Sequence, residues 1–219
     1  MVNNLVSISS HKYALALHTT TPELGLAITN FAEDTRAYVW SLGRELSSLI
    51  HQYLIDFIKP QSWQDLEFIA VAKGPGGFTG TRIGVVTART LGQQLNIPVY
   101  AVSTLAAFAW FSHIQNPQLP SIYAVEMPAQ RGQIFGAIYQ INADKSNIFT
   151  LLEDTVFTPE QWQTVLDNWE TQYHLISAKS DLAVTVGSIL QLAYFDYQQG
   201  KKPNWADALP YYGQHPVEN

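Results

Sequence analysis

The chain contains no cysteine. That removes disulfides, thiolate zinc sites and cysteine nucleophiles, and it is compatible with a reducing compartment. Charge is scarce as well: only 14% of residues are charged, 12 Lys and Arg face 18 Asp and Glu, and the net charge is −6. Beyond the pair Lys201-Lys202 there is no basic cluster, so the chain lacks the cationic stripe with which a protein grips a nucleic-acid backbone unaided. No apolar run approaches the ~20 residues that span a bilayer. Residues 1–10 have neither the charged start nor the apolar core of a secretory signal and read as a loose N-terminal extension. What remains, with 47% hydrophobic residues over 219 positions, is a globular protein of one large domain or two small ones. Part of its surface is uncharged or covered by a partner.

The most specific segment is Lys73-Gly74-Pro75-Gly76-Gly77-Phe78-Thr79-Gly80-Thr81-Arg82-Ile83-Gly84. It follows an apolar run, 68–72, of the length of a buried strand and opens a stretch to Leu95 that reads as a helix. Glycines and a proline at such a junction make a side-chain-poor turn, where backbone N–H groups come close to another molecule. Both common phosphate signatures nevertheless fail. Gly80-Thr81-Arg82 replaces the Gly-Lys-Ser/Thr of a P-loop, and Thr79 stands where the third glycine of a dinucleotide fingerprint belongs. Within the helix, Gly80, Gly84, Ala88 and Gly92 recur every fourth residue and form a groove almost free of side chains. Such a groove seats the helix on its own sheet or on the first helix, or it receives a partner.

Three alternating segments at 13–17, 24–29 and 35–40 predict an antiparallel meander. Residues 44–58 carry the i, i+3, i+4 pattern of an amphipathic helix closed by Pro60. A strand near 98–102 and a helix capped by Ser103 follow. After the proline-marked segment from Ser112 come strands at 122–125, 133–141 and 148–156. Then come a helix capped at Thr158-Pro159-Glu160, a strand at 174–177 and a helix over 182–197. The fold class is α/β: two actin-like (ribonuclease H-like) units of mixed sheet flanked by helices, the second abbreviated. The expected division is 1–111 and 112–219, with the final helix reaching back to the first unit. Trp205 stands out in the irregular tail as a candidate contact.

The strand ending in Thr19-Thr20, the helix start Gly43-Arg44-Glu45-Leu46-Ser47, the long glycine motif and Pro98-Val99-Tyr100-Ala101-Val102-Ser103-Thr104-Leu105 together resemble the bacterial TsaB (YeaZ) family. The match covers 13 to about 110, and the second half matches poorly. The resemblance implies an actin-like ATPase fold and a role in forming N6-threonylcarbamoyladenosine in tRNAs that read ANN codons. It implies a partner and scaffold rather than the catalyst. The implied partners are a TsaD-like catalytic subunit and a TsaE-like ATPase, with a homodimer in their absence, tRNA met only through the complex, a cytoplasmic location and no cofactor. It places the interface on two helices, at Arg44, Leu46, Leu49, Ile50, Tyr53, Gly80, Arg82, Ile83, Gly84, Thr87, Ala88 and Leu91. Any nucleotide contact falls to Gly76, Gly77 and Thr79.

The residues themselves argue against catalysis. An actin-like ATPase needs a carboxylate at the first strand turn to hold a metal-bound phosphate. Here the turn reads His18-Thr19, where the family pattern has Asp-Thr, and Pro128-Ala129-Gln130-Arg131-Gly132 replaces a second Asp-containing motif. His18 reads more simply as a hydrogen-bonded structural histidine. The six histidines, His11, His18, His51, His113, His174 and His215, include no pair within one helical turn, so no metal site is expected. No serine sits in a nucleophile elbow, which counts against a peptidase. A free-standing actin-like ATPase or small-molecule kinase is the alternative to the scaffold reading.

Overall fold

A computed structural model describes residues 6–118 and 120–213. Strands β1 (Tyr13–His18), β2 (Glu23–Thr29) and β3 (Thr35–Ser41) form the antiparallel meander. The parallel strands β4 (Leu66–Ala72) and β5 (Val99–Val102) extend it on the β1 side, giving the order β3-β2-β1-β4-β5. A second sheet repeats the plan with β6 (Ile122–Pro128), β7 (Ile134–Ile141), β8 (Ile148–Phe157) and β9 (His174–Ser177), in the order β8-β7-β6-β9 with β9 parallel to β6. The helices are α1 (Leu46–Phe57), α2 (Phe78–Leu95), α3 (Thr104–Gln115), α4 (Pro159–Asp167) and α5 (Val186–Gln198). Two mixed sheets flanked by helices, with the second unit shorter, is the architecture that the element order predicts.

Side-chain size sorts the layers. One face of the first sheet carries Leu15, Leu17, Leu24, Leu26, Ile28, Ile69 and Val71 and packs under α1 and α2. The opposite face carries Ala14, Ala16, Ala27, Ala70 and Ala72, so α5 lies close against it through Val186, Ile189, Leu190 and Ala193. Helix α3 and the far side of α5 then meet the second sheet through Leu105, Trp110, Leu192 and Phe195. Helix α4 closes the other side of that sheet with Trp162 and Leu166. Local signals do their part: Ser103 Oγ accepts from the Leu105 and Ala106 amides, and Thr158 and Gln161 form a capping box with Pro159 at the first helical position.

Four sequence expectations change. The first helix does not start at Arg44: Gly43–Glu45 forms a 3-10 turn, entered by Gly43 at φ 53°. Of the N-terminal extension, Met1–Leu5 lie outside the described residues. The following residues are not loose, because the Val6 amide donates to Gln198 O and Ile8 is buried in the α5 core. Trp205 is not a surface contact; it packs half-buried on the α1–α2 core, where Gly92 leaves room for it. His18 is not hydrogen-bonded. It is wholly buried and neither ring nitrogen has a partner.

The glycines of α2 are filled from within. A Cβ on Gly80 would lie 2.2 Å from Thr19 O, one on Gly84 would lie 2.2 Å from Thr19 Oγ1, and one on Gly92 would lie 2.3 Å from Val99 Cγ2. Alanine ordinarily favours a helix by about 1 kcal/mol over glycine, but a backbone oxygen at that range cannot yield. Gly80→Ala is therefore expected to destabilise by about 2 kcal/mol. Gly187→Ala in α5, where a Cβ meets nothing within 4 Å, stabilises by up to about 1 kcal/mol. Thermal melts of the two variants should move in opposite directions. A Gly80→Ala melt at or above wild type would show that the contact is slack.

His18 lies opposite Gly25 in the β1–β2 register, on the sheet face covered by a 3-10 turn at Leu182–Thr185. A Cβ on Gly25 would meet Ala183 O at 2.6 Å. Burial holds the imidazole pKa down to about 3 from an ordinary 6.5. Above pH 6.5 the ring is neutral in both folded and unfolded chains and has no linkage effect. Below it the unfolded chain takes up a proton that the folded chain refuses, so stability falls from pH 6.5 towards 3. By pH 5 the loss is about 2 kcal/mol. Denaturant titrations at pH 7.5 and 5 should show wild type losing that much more than His18→Leu; parallel losses would remove His18 from the account.

Candidate functional site

A cleft of about 870 Å³ opens where the two units meet, at the ends of β1, β4 and β6. The Thr19-Thr20-Thr21 turn and the glycine loop Gly76–Gly80 form one wall, and Met127 to Gln130 form the other, with Arg44 and Lys179 at the rim. The turn and the glycine loop are tied together. Gly77 N donates to Thr20 O at 2.7 Å, and Thr19 Oγ1 donates to Gly80 O at 2.8 Å. Thr104 Oγ1 donates to Thr20 Oγ1 at 3.2 Å. A Cβ on Gly76 would meet Thr20 O at 2.4 Å. The glycines therefore serve this packing first.

Among the described residues no Asp or Glu lines the cleft. Arg44 and Lys179, together with an α2 N-terminus that no side chain caps, make it weakly attractive to anions, and its described lining offers magnesium no carboxylate. His18, in the position of the family acid, is sealed beneath the Leu182–Thr185 turn, away from the cleft lining. Glu126, the acid on β6, accepts from Trp162 Nε1 at 2.9 Å and Ser177 Oγ at 2.6 Å, which fixes it as a structural group. Among the described residues no three His, Cys, Asp or Glu side chains gather as a metal-ligating group. No helix there is long and apolar enough to cross a membrane.

Beside the cleft, the seam holds a network that sequence reasoning missed. Tyr139 donates to Asp154, and its oxygen lies 3.1 Å from Ser103 Oγ, the cap of α3. Tyr211 reaches into the same place, with its amide on Lys73 O and its hydroxyl on Asp154 O. Burial pushes the Asp154 carboxyl above the usual carboxylate range. The partners come from both units and from the tail, far apart in sequence, so no local signal marks them.

The residues expected at a helix interface divide in two. Leu46, Ile50, Gly84 and Ala88 are buried in the chain's own core, and Gly80 is packed on Thr19, so the small-residue groove offers no docking surface. Arg44 and Arg82 are exposed, and Leu49, Tyr53, Ile83, Thr87 and Leu91 are half-buried. The structure adds an exposed apolar residue on the outer side of α2, Val86, at 51% exposure. Val86 is one helical turn from Arg82, and that spacing was the available signal. Gly77 and Thr79 are exposed at the cleft mouth and Gly76 is half-buried.

The family model described as tRNA N6-adenosine threonylcarbamoyltransferase (TsaD) matches residues 44–181. The chain is 36% identical over 132 residues to the tRNA threonylcarbamoyladenosine biosynthesis protein TsaB of Bacillus subtilis, covering 58% of this chain and 54% of that protein. It thus spans about half the length of that relative. It is 28% identical over 190 residues to TsaB of Escherichia coli, covering 80% of each. YeaZ from Pseudomonas aeruginosa superposes with a TM-score of 0.73 at 20% identity, over 92% of this chain and 99% of that one. With a family match over more than half of its length, curated TsaB relatives and a YeaZ-like fold, the chain belongs to the tRNA N6-adenosine threonylcarbamoyltransferase family, on its TsaB (YeaZ) side.

Proposed function

We propose that this chain is a non-catalytic cytoplasmic subunit of the tRNA threonylcarbamoyladenosine machinery, supporting a TsaD-like catalytic subunit alongside a TsaE-like ATPase. The observation that carries the reading is the outer side of α2. It presents Arg82, Val86 and Arg89 along successive turns, and the helix has no acidic residue. Among the described residues neither arginine makes an ion pair or hydrogen bond. With half-buried Ile83 of the same helix, Val86 forms an apolar patch edged by cations, suited to a partner helix of acidic surface. In the absence of that partner, the same face pairs two copies of this chain. The cleft without carboxylates supports the non-catalytic part of the reading and counts against a free-standing ATPase or kinase. A nucleotide at Gly76, Gly77 and Thr79 would need its metal ligands from the partner.

Val86→Asp puts a charge on an exposed position and should leave the circular dichroism spectrum unchanged. Co-purification with the TsaD of the same cell, followed by titration, is expected to show binding weakened at least about tenfold, or about 1.4 kcal/mol. A folded variant that binds as wild type would move the interface off α2.

The isolated chain is expected to turn over no ATP and to leave tRNA unshifted at ~150 mM salt, because scattered cations release few counterions. Threonylcarbamoyl transfer should appear only when the catalytic partner is added. Sub-micromolar tRNA binding, or ATP hydrolysis that survives repurification, would contradict the reading.

A further inference from the structure

After Ala208, which is buried in the α1–α2 core, the chain crosses its own seam. Residues 209–213 have no regular secondary structure, yet they are fastened to both walls of the cleft. On the first wall, Tyr211 N donates to Lys73 O at 2.6 Å, just ahead of the glycine loop. The Tyr211 carbonyl rests against Gly74, whose φ is 103° and where a Cβ would lie 2.4 Å from that oxygen. Tyr212 packs on Phe78, the first residue of α2, with ring centroids 4.5 Å apart.

On the second wall, Tyr211 Oη donates to Asp154 O at 2.5 Å. Gly213, at φ 62°, sits on Phe135 and Val156, a cross-strand pair of β7 and β8. A Cβ there would lie 2.6 Å from Phe135 Cε1 and 3.0 Å from Val156 Cγ2. Two glycines far apart in sequence thus admit the segment, one at each wall. Phe78, Phe135 and Tyr212 all line the cleft.

The rest of the junction is of a different kind. Behind the cleft the units meet through Leu105 and Trp110 of α3 and Leu192 and Phe195 of α5, packed against the second sheet. Apolar packing has no preferred direction, and packed helices accommodate small sliding movements. At the cleft side the contacts are few and directional. Asp154 is their common point, with Tyr139 on its carboxylate and Tyr211 on its carbonyl. Sparse hydrogen bonds between half-buried side chains and backbone open locally without unfolding a domain.

We infer that residues 209–213 are a releasable strap that sets the width of the cleft. Fastened, the strap fixes the glycine loop against the β7–β8 wall. Released, it lets the two sheets tilt apart by shear along α3 and α5, and Tyr212 leaves Phe78 as the cleft widens. The inference concerns the chain by itself and is independent of the proposed role.

Because the sequence has no cysteine, two spin labels can be placed selectively in the full chain, at Ser47→Cys and Glu160→Cys. Both positions are exposed. Ser47 lines the cleft, and Glu160 follows the end of β8 that is joined through Ile134 to Pro128 in the opposite wall. Tyr211→Phe removes the bond to Asp154 O and should raise a longer-distance population about fivefold, the effect of one hydrogen bond of ordinary net strength. Gly213→Val crowds Phe135 and Val156 and should make that population the major one. Tyr197→Phe, which removes a hydroxyl bond to Glu67 in the α5 layer, should leave the distances as in wild type. A segment that only adds stability would lower the melting temperature without moving the labels. Unchanged distances in both strap variants, each with a native circular dichroism spectrum, overturn the inference, as does an equal lengthening in Tyr197→Phe. Should Gly213→Val misfold, Tyr211→Phe decides.

Discussion

The approach of α2 to the Thr19-Thr20 turn governs the first unit. Glycines at 76, 80 and 84 bring backbone to within a methyl group of that turn, and Thr19 and Thr20 then bond the loop that the glycines make possible. The position of α2 over β1 and β4 follows, and with it the side of the helix turned to solvent. The motif looks like a ligand cradle because both uses need a backbone without side chains. Here the molecule cradled is the chain's own first turn. The cleft beyond it is left with cations at the rim and, among the described residues, no carboxylate.

The contrast between the two faces of the first sheet carries the same logic to the scale of layers. Leucine and isoleucine hold α1 and α2 at ordinary distance, while a floor of alanines lets α5 sink close and bring the Leu182–Thr185 turn over His18. Sealing a neutral imidazole there is the energetic counterpart of tight packing. At the far end of the same seam, Asp154 is matched with Tyr139 and Tyr211. The junction is thus satisfied at one end and left with orphaned polar groups at the other.

The meander, the helices and the repeated plan were legible because period and capping residues state them locally: Ser103, Thr158 and the alternation at 24–29 each act within a few residues. The every-fourth-residue stripe on α2 was legible as a groove, but what fills it was not, since Thr19 and Val99 lie outside the helix. Reading Gly84 and Ala88 as a partner surface followed from that gap. Val86 faces outward because Gly84 and Ala88, two places to either side of it, turn inward. His18 misled for a related reason: hydrogen-bonded histidines are the common case, and only the three-dimensional covering by residues 182–185 shows that no partner is in reach.

Helix α5 has a consequence for how the chain comes into being. Its residues leave the ribosome well after those of β1 to β5, yet they cover the alanine face of those strands. Until α5 follows, the first sheet can assemble with α1 and α2 on one side while its other side stands bare. A face floored mainly by alanine, with Phe68 and Tyr100 as its large side chains, is less adhesive than a leucine face of equal size, because each methyl brings little apolar area. The small residues that let α5 settle closely at the end also spare the nascent sheet a sticky surface while it waits.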